Sequence, residues 1–469
     1  MTRYTLLLVL LLCASCPAGE VGQLDNITCS WLGNSLPGSD GWVLQSIADI
    51  FVVPDGTVYT NVPWDEHGGN VMAFRGGKFV AEARVGNHGG GRTITANSKY
   101  IFFAGDRHRK GEEGIDRRDR AEIFDKSKNV HVDCGMVHGI AATESRVYAS
   151  VPAENRIKVF DSDLDFLTQW PVEDPGEMAL DRGGRLWVIQ ASTGRVSCYD
   201  SEGNRLPQKI ILSDEVVPTD ICIDSKSRLL LADAGVSQQV HIYSNIEQKP
   251  ALDGHFGIRR GIFSGPNPGK KRPLRFFMPT GVGVDGQGNI YVGSKSDVNN
   301  NGATLIQSYS PDGKLNWEMS ASLWIDCVDV DPQDPNILYG SGEKFVMDYS
   351  AAVGKQATLT AFTANPFAFP QDPRVGGDGH GGQRGATWMR LIDGRKFMFL
   401  TSMSGLPICI YRFQAEKYGQ TAIPCGRLAG SEIWIDADGN GRPDAGEMED
   451  IDIDRGMGAW VDSQGTIRN

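Results

Sequence analysis

Short apolar segments with alternating polar positions recur along this chain at similar intervals. Each unit has the pattern strand, Asp/Gly turn, strand, connection, strand, turn. A clear copy begins at Pro279 as PTGVGVDGQGNIYVG and continues from Leu305 as LIQSYSPDG. Alternation of period two predicts half-buried strands, and Asp–Gly pairs predict tight hairpins. The pattern therefore predicts an all-β chain made of repeated small sheets.

The repeated units are spaced like the blades of a propeller. Similar copies begin at Pro218, Gly176 and His138, and more divergent copies begin near Ile47, Thr93, Asp326 and Ala386. A period of roughly 40–60 residues with short strands is typical of β-propellers. The eight units predict a propeller of about seven or eight four-stranded blades over residues 41–415.

Part of the repeat resembles a known family. The copies between 138 and about 310 resemble NHL-repeat β-propellers: PTGVGVDGQGNIYV from Pro279 is close to that family's pattern, and NRIKVFD from Asn155 matches its usual third strand. The resemblance covers about half of the chain. It implies a toroidal propeller with a central funnel. It implies no single function, since the family includes both enzymes and docking platforms.

Residues 436–447 have the spacing of a twelve-residue EF-hand calcium loop. Side-chain oxygens stand at positions 1, 3, 5, 9 and 12, position 7 offers a backbone carbonyl, and Gly441 stands at position 6, where a sharp turn is needed. Such oxygen ligands suit a hard dication. The predicted Ca²⁺ ligands are Asp436, Asp438, Asn440, Arg442, Asp444 and Glu447.

The segments around this loop predict an isolated calcium site without a partner loop. Residues 432–435 and 448–454 read as strands, where a calcium sensor would have helices. Position 8 is Pro443, which has no N–H for pairing with a second loop, and the sequence contains no second loop of this type. We expect the 430–455 segment to hold two parts of the chain together without acting as a switch.

The N-terminus predicts secretion. Residues 1–19 combine Arg3, an apolar run and small residues, which is the pattern of a signal peptide. Cys16 leaves lipid anchoring as a weaker alternative. No later apolar run is long enough for a membrane helix. The net charge of -12 argues against nucleic acid as a partner. We therefore expect a secreted protein, extracellular or periplasmic.

Histidines raise the alternative of a metal-dependent enzyme. In the peptidyl-amidating lyases, which are NHL propellers, histidines after a proline at the start of inner strands hold zinc. Only His138 matches that position here, and His88 and His380 lie in glycine-rich loops that should open on the same face. With Asp378 they would form a metal or substrate site, but we expect them to be separated by blades.

Acidic residues at the starts of inner strands raise a second enzymatic alternative. Lactonases of the gluconolactonase type are propellers that hold calcium in the funnel with acidic and amide side chains. Glu177 and Asp220 begin two inner strands here, and Asp326 would add a third carboxylate. Acids at these positions also serve simply to bond backbone N–H groups at strand ends.

Two charged segments and the C-terminal residues complete the predictions. Residues 106–120 are predicted to form a solvated surface loop. Residues 258–278 carry a basic cluster that would hold an anionic ligand, or would be a long connection between blades. Residues 456–469 resemble the first strands of a further blade, either closing the ring with a segment near Trp42 or belonging to an incomplete blade.

These observations favour a secreted, calcium-binding NHL-type propeller that acts as a binding or scaffolding module for a protein or glycan. The alternative is a propeller hydrolase or lyase with a divalent metal in its funnel. An enzyme requires several polar side chains from different blades to converge there.

Overall fold

A computed structural model describes residue 43 and the ranges 47–62, 70–83, 90–105, 113–125, 128–295, 303–322, 327–352, 355–376, 385–402, 405–451 and 459–468. Almost all of this part consists of antiparallel strands. The prediction of an all-β propeller chain is confirmed, and the eight repeats recur as eight successive sheets of at least four strands.

The first six sheets, called blades 1 to 6, each have four antiparallel strands in sequence order. Their strands are β1 (Asp49–Val52), β2 (Val58–Asn61), β3 (Val71–Arg75), β4 (Lys78–Ala83); β5 (Ile94–Ala96), β6 (Tyr100–Gly105), β7 (Gly114–Asp119), β8 (Val130–Asp133); β9 (Gly139–Ala142), β10 (Arg146–Val151), β11 (Arg156–Asp161), β12 (Phe166–Pro171); β13 (Met178–Leu180), β14 (Leu186–Gln190), β15 (Arg195–Tyr199), β16 (Arg205–Ile211); β17 (Pro218–Ile223), β18 (Leu229–Asp233), β19 (Val240–Ser244), β20 (Ala251–Phe256); β21 (Pro279–Val284), β22 (Ile290–Lys295), β23 (Ala303–Tyr309) and β24 (Leu315–Ser322).

The remaining strands form sheet 7, the six-stranded sheet 8 and a terminal hairpin. They are β25 (Asp329–Asp331), β26 (Asp334–Tyr339), β27 (Glu343–Met347), β28 (Ala357–Phe362); β29 (Thr387–Ile392), β30 (Arg395–Ser402), β31 (Gly405–Phe413), β32 (Ala422–Ala429), β33 (Glu432–Ile435), β34 (Met448–Asp450); and β35 (Trp460–Val461) with β36 (Ile467–Arg468). Short helices are α1 (Pro373–Gly376) and α2 (Ala415–Tyr418), with 3-10 turns at Arg120–Glu122, Pro152–Glu154, Ala191–Thr193 and Gly261–Phe263.

The Asp/Gly turns of the repeat are built by side-chain capping. In blade 6, Asp285 Oδ1 accepts the backbone N–H groups of Gln287 and Asn289, each at 2.9 Å. Gly288 closes this turn with φ +84°, a left-handed conformation that glycine adopts without strain. Asp181 and Asp224 cap the corresponding turns of blades 4 and 5 in the same way. The repeated Asp is therefore a hairpin residue.

Blades 1 to 6 close into a ring. The first strand of each blade contacts the first strand of the next, and β21 returns to contact β1. Apolar clusters fill the spaces between successive blades. The closing cluster joins Ile50, Val52 and Phe74 of blade 1 to Tyr291 and Ile306 of blade 6. Within the predicted range 41–415, the ring thus takes 49–322, and sheets 7 and 8 lie outside it.

The basic segment 258–278 joins sheet 7 to the ring. Ile262, Phe263 and Phe277 pack in one buried cluster with Leu305 of blade 6 and strand residues of sheet 7. Lys271 N–H donates to Thr360 O at 2.9 Å, so the segment also pairs with the edge of β28. The connection between blades 5 and 6 is therefore an interface as well as a loop.

The terminal hairpin packs beside sheet 8. Arg390 of β29 donates from Nη2 to Val461 O at 2.6 Å, and the side chain of Ile392 lies under Gly465. Since β21 and β1 already close the ring, the hairpin does not complete blade 1, which corrects one of the two interpretations of 456–469.

One sequence-based expectation was wrong in part. Residues 114–119, predicted to be a solvated loop, form strand β7, in which Asp116 and Arg118 are buried. Arg118 donates to Asn129 Oδ1 at 3.1 Å and to Ile123 O at 2.9 Å. A dense run of charges fits inside a sheet here because its buried members have hydrogen-bond partners.

In the described part, no helix is long and apolar enough to cross a membrane.

Candidate calcium and axial carboxylate sites

The predicted calcium loop connects two strands of sheet 8. Strand β33 leads into residues 436–447 and β34 leaves them, which confirms that strands flank the loop. Asp436 N–H donates to Cys425 O at 3.1 Å, and Ile435 N–H donates to Glu447 O at 3.2 Å. These bonds attach both ends of the loop to the edge of the sheet.

Three predicted ligands converge at one point. Carboxylate oxygens of Asp436, Asp438 and Glu447 all lie within 4.8 Å of one another. Glu447 accepts hydrogen bonds from Trp434 Nε1 at 3.0 Å and from Ala437 N–H at 2.9 Å. The Trp434 bond and the backbone donors lower the pKa of Glu447, which keeps it a carboxylate. Such a set of oxygens fits a hard dication.

Gly441 permits the turn that brings these ligands together. Its φ is +78°, and a Cβ at this position would lie 2.6 Å from Cε1 of Phe369. Its N–H also donates to Asp436 Oδ1 at 3.2 Å. The positive φ and the lack of space for a Cβ thus both favour glycine, as the loop pattern requires.

The other three predicted ligands lie around the cluster. Asn440 Nδ2 donates to Asp438 Oδ2 at 2.9 Å and to Asp444 Oδ2 at 2.6 Å. Arg442 N–H donates to Asn440 Oδ1 at 2.7 Å. Asn440 and Asp444 are therefore within reach of the three converging carboxylates, whereas Arg442 is linked to them through Asn440.

Arg412 is a part of this site that the loop pattern does not contain. It lies on β31, its Nη1 forms an ion pair with Asp436 Oδ2, and its Nη2 donates to Gly439 O at 2.8 Å. The Asp436 side chain is completely buried (0% exposed). A positive charge thus already neutralises the carboxylate at loop position 1.

A second group of side chains surrounds the axis of the ring. In each blade, one residue directly precedes the first buried apolar residue of the innermost strand. Hydrogen bonds between adjacent blades show that these positions are equivalent. The six residues, from blade 1 to blade 6, are Asp49, Thr93, Gly139, Glu177, Asp220 and Gly281.

Three of these axial residues tie neighbouring blades together. Asp49 Oδ2 accepts the N–H of Ile94 at 2.9 Å. Thr93 Oγ1 accepts the N–H of Ile140 at 3.1 Å, and Asp220 Oδ2 accepts the N–H of Val282 at 2.6 Å. Asp329 and Met389 form the same bond between sheets 7 and 8. The main structural role of this position is therefore to form a hydrogen bond to the neighbouring sheet.

Glu177 differs from the other axial acids. Its Oε2 accepts a hydrogen bond from Thr93 Oγ1 at 3.0 Å, so its side chain reaches across the intervening blade 3. That blade contributes Gly139, where a Cβ would lie 2.7 Å from the Cα of Glu177. The glycine thus lets the backbone of Gly176 and Glu177 lie close to blade 3.

Burial and neighbouring charge raise the pKa values of the three axial carboxyl groups. Burial raises the pKa of Asp220 to about 7. Burial and the charge of Asp220 raise the pKa of Asp49, and burial with the charges of Asp49 and Asp220 raises that of Glu177. Among the described residues, only the calcium-loop acids form a group of three ligand atoms within 4.8 Å. The axial acids are therefore an electrostatic cluster without metal-site spacing.

Replacing Asp220 should change how stability depends on pH. Its folded-state pKa is raised, so the native protein binds this proton more tightly than the unfolded chain, and stability falls as pH rises from about 4 through about 7. One such group contributes a slope of at most about 1.4 kcal/mol per pH unit. We expect Asp220→Asn to flatten this part of the curve in urea unfolding. Asp253→Asn, an exposed change in the same blade, should leave the slope unchanged. Equal slopes in the native protein and in both variants would contradict the assignment of this pH dependence to Asp220.

The predicted histidine site is only partly described. His138 precedes β9, where its backbone N–H donates to Ser150 O at 3.1 Å. His88, His380, Asp378 and Asp326 lie outside the described residues. Glu177 and Asp220, by contrast, are at one level of the axis, together with Asp49, which was not among the predicted site residues.

The basic segment 258–278 uses part of its charge internally. Lys271 forms an ion pair with Glu318 of β24. Arg275 Nη1 donates to Ser264 O at 2.7 Å, whereas Lys270 and Arg272 are exposed. The cluster thus uses part of its charge on blade 6 and within the segment itself, and an anion at this segment remains a prediction.

No family model and no curated protein matches the chain. Solved structures that it resembles include virginiamycin B lyase from Staphylococcus aureus, at 11% identity and a TM-score of 0.40 over 72% of this chain and 99% of that chain. They also include the nidogen/laminin complex, at 13% identity and a TM-score of 0.34 over 58% of this chain and 97% of that chain. A protein of unknown function from Bacteroides caccae is 12% identical, with a TM-score of 0.42 over 56% and 93%.

The class of this protein follows from its own geometry. Six four-stranded antiparallel sheets surround one axis, and their first strands contact one another in a closed circle. The chain is therefore a β-propeller protein.

Proposed function

We propose that this chain is a secreted, calcium-binding propeller of the NHL type that serves as a binding module. The convergence of Asp436, Asp438 and Glu447 carries the calcium part of the proposal. These residues would hold the ion, and Asn440 would join them if its amide turned to present its oxygen. The signal-peptide pattern of 1–19 supports secretion.

In this proposal the ion has a structural role. The loop joins β33 to β34, contacts Phe369 through Gly441 and is attached to β31 by Arg412. Closely spaced carboxylates repel one another, and a dication removes that repulsion. Calcium would thus hold the outer strands of sheet 8 against its centre.

Terbium luminescence tests the site, because Tb³⁺ replaces Ca²⁺ at oxygen ligands and is excited by a nearby indole. Trp434 donates to Glu447 at 3.0 Å, so excitation of tryptophan should give Tb³⁺ emission that Ca²⁺ displaces. Trp434→Phe should lose most of the emission. Emission that survives in this variant, or that calcium does not displace, would place the ion elsewhere.

The same titration measures the effect of Arg412. A positive charge about 5 Å from a dication costs about 1–2 kcal/mol even in water, which corresponds to about tenfold in affinity. We therefore expect Arg412→Gln to bind Ca²⁺ about tenfold more tightly. Arg395→Gln removes an exposed charge from β30 of the same sheet and should leave the affinity unchanged. Weaker binding by Arg412→Gln would show that Arg412 instead shapes the loop for the ion.

A second candidate function is a hydrolase or lyase that uses the axial carboxyl groups. Glu177 carries this candidate because its side chain reaches past blade 3 and accepts a hydrogen bond from the Thr93 hydroxyl group, unlike Asp49 and Asp220, which accept an N–H of the next blade. A carboxyl group with a raised pKa can donate a proton near neutral pH, and its ionised neighbour can accept one. Hydrolysis of a lactone panel that Glu177→Gln abolishes would favour the enzyme, whereas an equally active variant would exclude this residue from catalysis.

A further inference from the structure

A groove separates blades 1 and 2 on the side of the ring where β1 ends and β2 begins. Its volume is about 520 Å³, which is in the range of small-molecule sites. Tyr59, Ala73, Ala81 and Ile123 form a buried apolar floor. Val80 of the outer strand β4 lines one wall and is 50% exposed. The groove is distinct from the calcium loop and from the axial acids.

Three cationic side chains line the rim of this groove: Arg75, Lys99 and Arg120. Arg120 is held in place, since its Nε donates to Tyr59 Oη at 3.1 Å and its Nη1 donates to Asn97 O at 2.9 Å. Arg75 is held by its ion pair with Asp55 and by donation to Thr57 Oγ1 at 2.8 Å. Both guanidinium groups are thus positioned before any ligand arrives, which lowers the entropy cost of binding.

The charge around this groove is balanced, whereas the whole chain is acidic. The acids close to the three cations are Asp55, Asp119 and Glu144, of which Asp55 pairs with Arg75 and Glu144 accepts the N–H of the groove residue Ser98 at 3.1 Å. These three cations and three acids balance, on a chain whose net charge is -12. Within the described residues Arg120 donates only to neutral oxygens and forms no ion pair, so its guanidinium can still pair with an anion.

The floor and the rim together define the ligand. The apolar floor favours an uncharged, flat body, and the Arg120 guanidinium, 5.7 Å from the Tyr59 ring centroid, offers a further planar surface. Guanidinium groups bind carboxylates with two parallel hydrogen bonds. We propose that the groove binds a small organic anion with a flat apolar body, such as an aromatic carboxylate. The proposal is independent of calcium binding by the loop.

Isothermal titration of the full chain with 2-naphthoate tests the assignment, with neutral 2-naphthamide as the ligand of matched shape. We expect saturable binding of one naphthoate per chain and at least tenfold weaker binding of the amide. Val80→Glu should weaken naphthoate binding at least tenfold, whereas Val80→Lys should retain or strengthen it. Arg120→Gln should also weaken it at least tenfold.

Matched variants separate this site from general effects. Thr168→Glu adds the same charge to an exposed position on β12, the outer strand of blade 3, and should leave binding unchanged. Unaltered melting temperatures of the two Val80 variants would show that both fold. The proposal is overturned if naphthoate shows no saturable binding, if the amide binds equally well, or if Val80→Glu binds naphthoate as tightly as Val80→Lys.

Discussion

Chelation of calcium is expected to lower the melting temperature of this protein, and replacement of a loop carboxylate should abolish the difference. A ligand that binds only the native state stabilises it by about 2.7 kcal/mol at a hundredfold excess over its dissociation constant. Calorimetry with Ca²⁺ and with chelator measures the effect. Asp438→Ala is the preferred variant, because Asp438 is exposed, whereas Asp436→Ala would also remove the partner of Arg412.

The control for this experiment is a carboxylate that caps a turn far from the loop. Asp200 accepts the N–H groups of Glu202 and Asn204 in blade 4. Asp200→Ala should lower stability by the same amount in calcium and in chelator. If native protein and Asp438→Ala melt alike under both conditions, the loop does not bind calcium in the native state.

Replacing Arg374 by methionine is expected to cause a large loss of stability. Its side chain is 3% exposed and pairs with the fully buried Asp372 at 2.6 Å. It also donates to Thr363 Oγ1 at 2.9 Å and to Ala422 O at 3.1 Å, which joins sheet 7 to sheet 8. Breaking such a buried pair leaves one charge uncompensated and costs about 3–5 kcal/mol.

Hydrogen exchange of the β31 and β32 amides would localise this loss to the junction of the two sheets. Arg395→Met, at an exposed site on β30, provides the control and should change little. The double variant Arg374→Met, Asp372→Leu removes both charges and should recover much of the stability. Unchanged exchange in Arg374→Met would mean that solvent replaces the guanidinium at no cost.

The repeats could be predicted from the sequence because their signals are local. Alternating apolar positions and capped Asp/Gly turns lie within a few residues of one another, and each predicted unit corresponds to one sheet. Which of the eight units form the ring could not be predicted in this way, because all eight units share the same local pattern. Closure depends on side chains of β21 that are small enough to admit β1: a Cβ at Gly283 would lie 2.7 Å from the Cβ of Val52.

The residues of the candidate sites also differ in whether a local sequence pattern indicates them. All six predicted ligands of the loop lie in twelve consecutive residues, so spacing alone indicated them. Arg412 lies 24 positions before Asp436 and carries no spacing signal. Asp49 and Thr93 were missed because their blades are the divergent copies. Aligning the residue before the first buried apolar position of each unit would have found both.

Ring closure has a consequence for the order of folding during synthesis. Ile47 N–H donates to Thr304 Oγ1 across 257 positions of the chain, and Val43 N–H donates to Ser320 O at 2.7 Å. Blade 1 is therefore translated long before blade 6, on which it packs. At synthesis rates of about 5–20 residues per second, the apolar edge of blade 1 remains without its partner for roughly 10–50 s, until blade 6 has been synthesised. During this interval Ile50 and Val52 are available to chaperones or to another nascent chain, and contacts this distant in sequence are slow to form. The step that completes the ring is thus the one most exposed to aggregation.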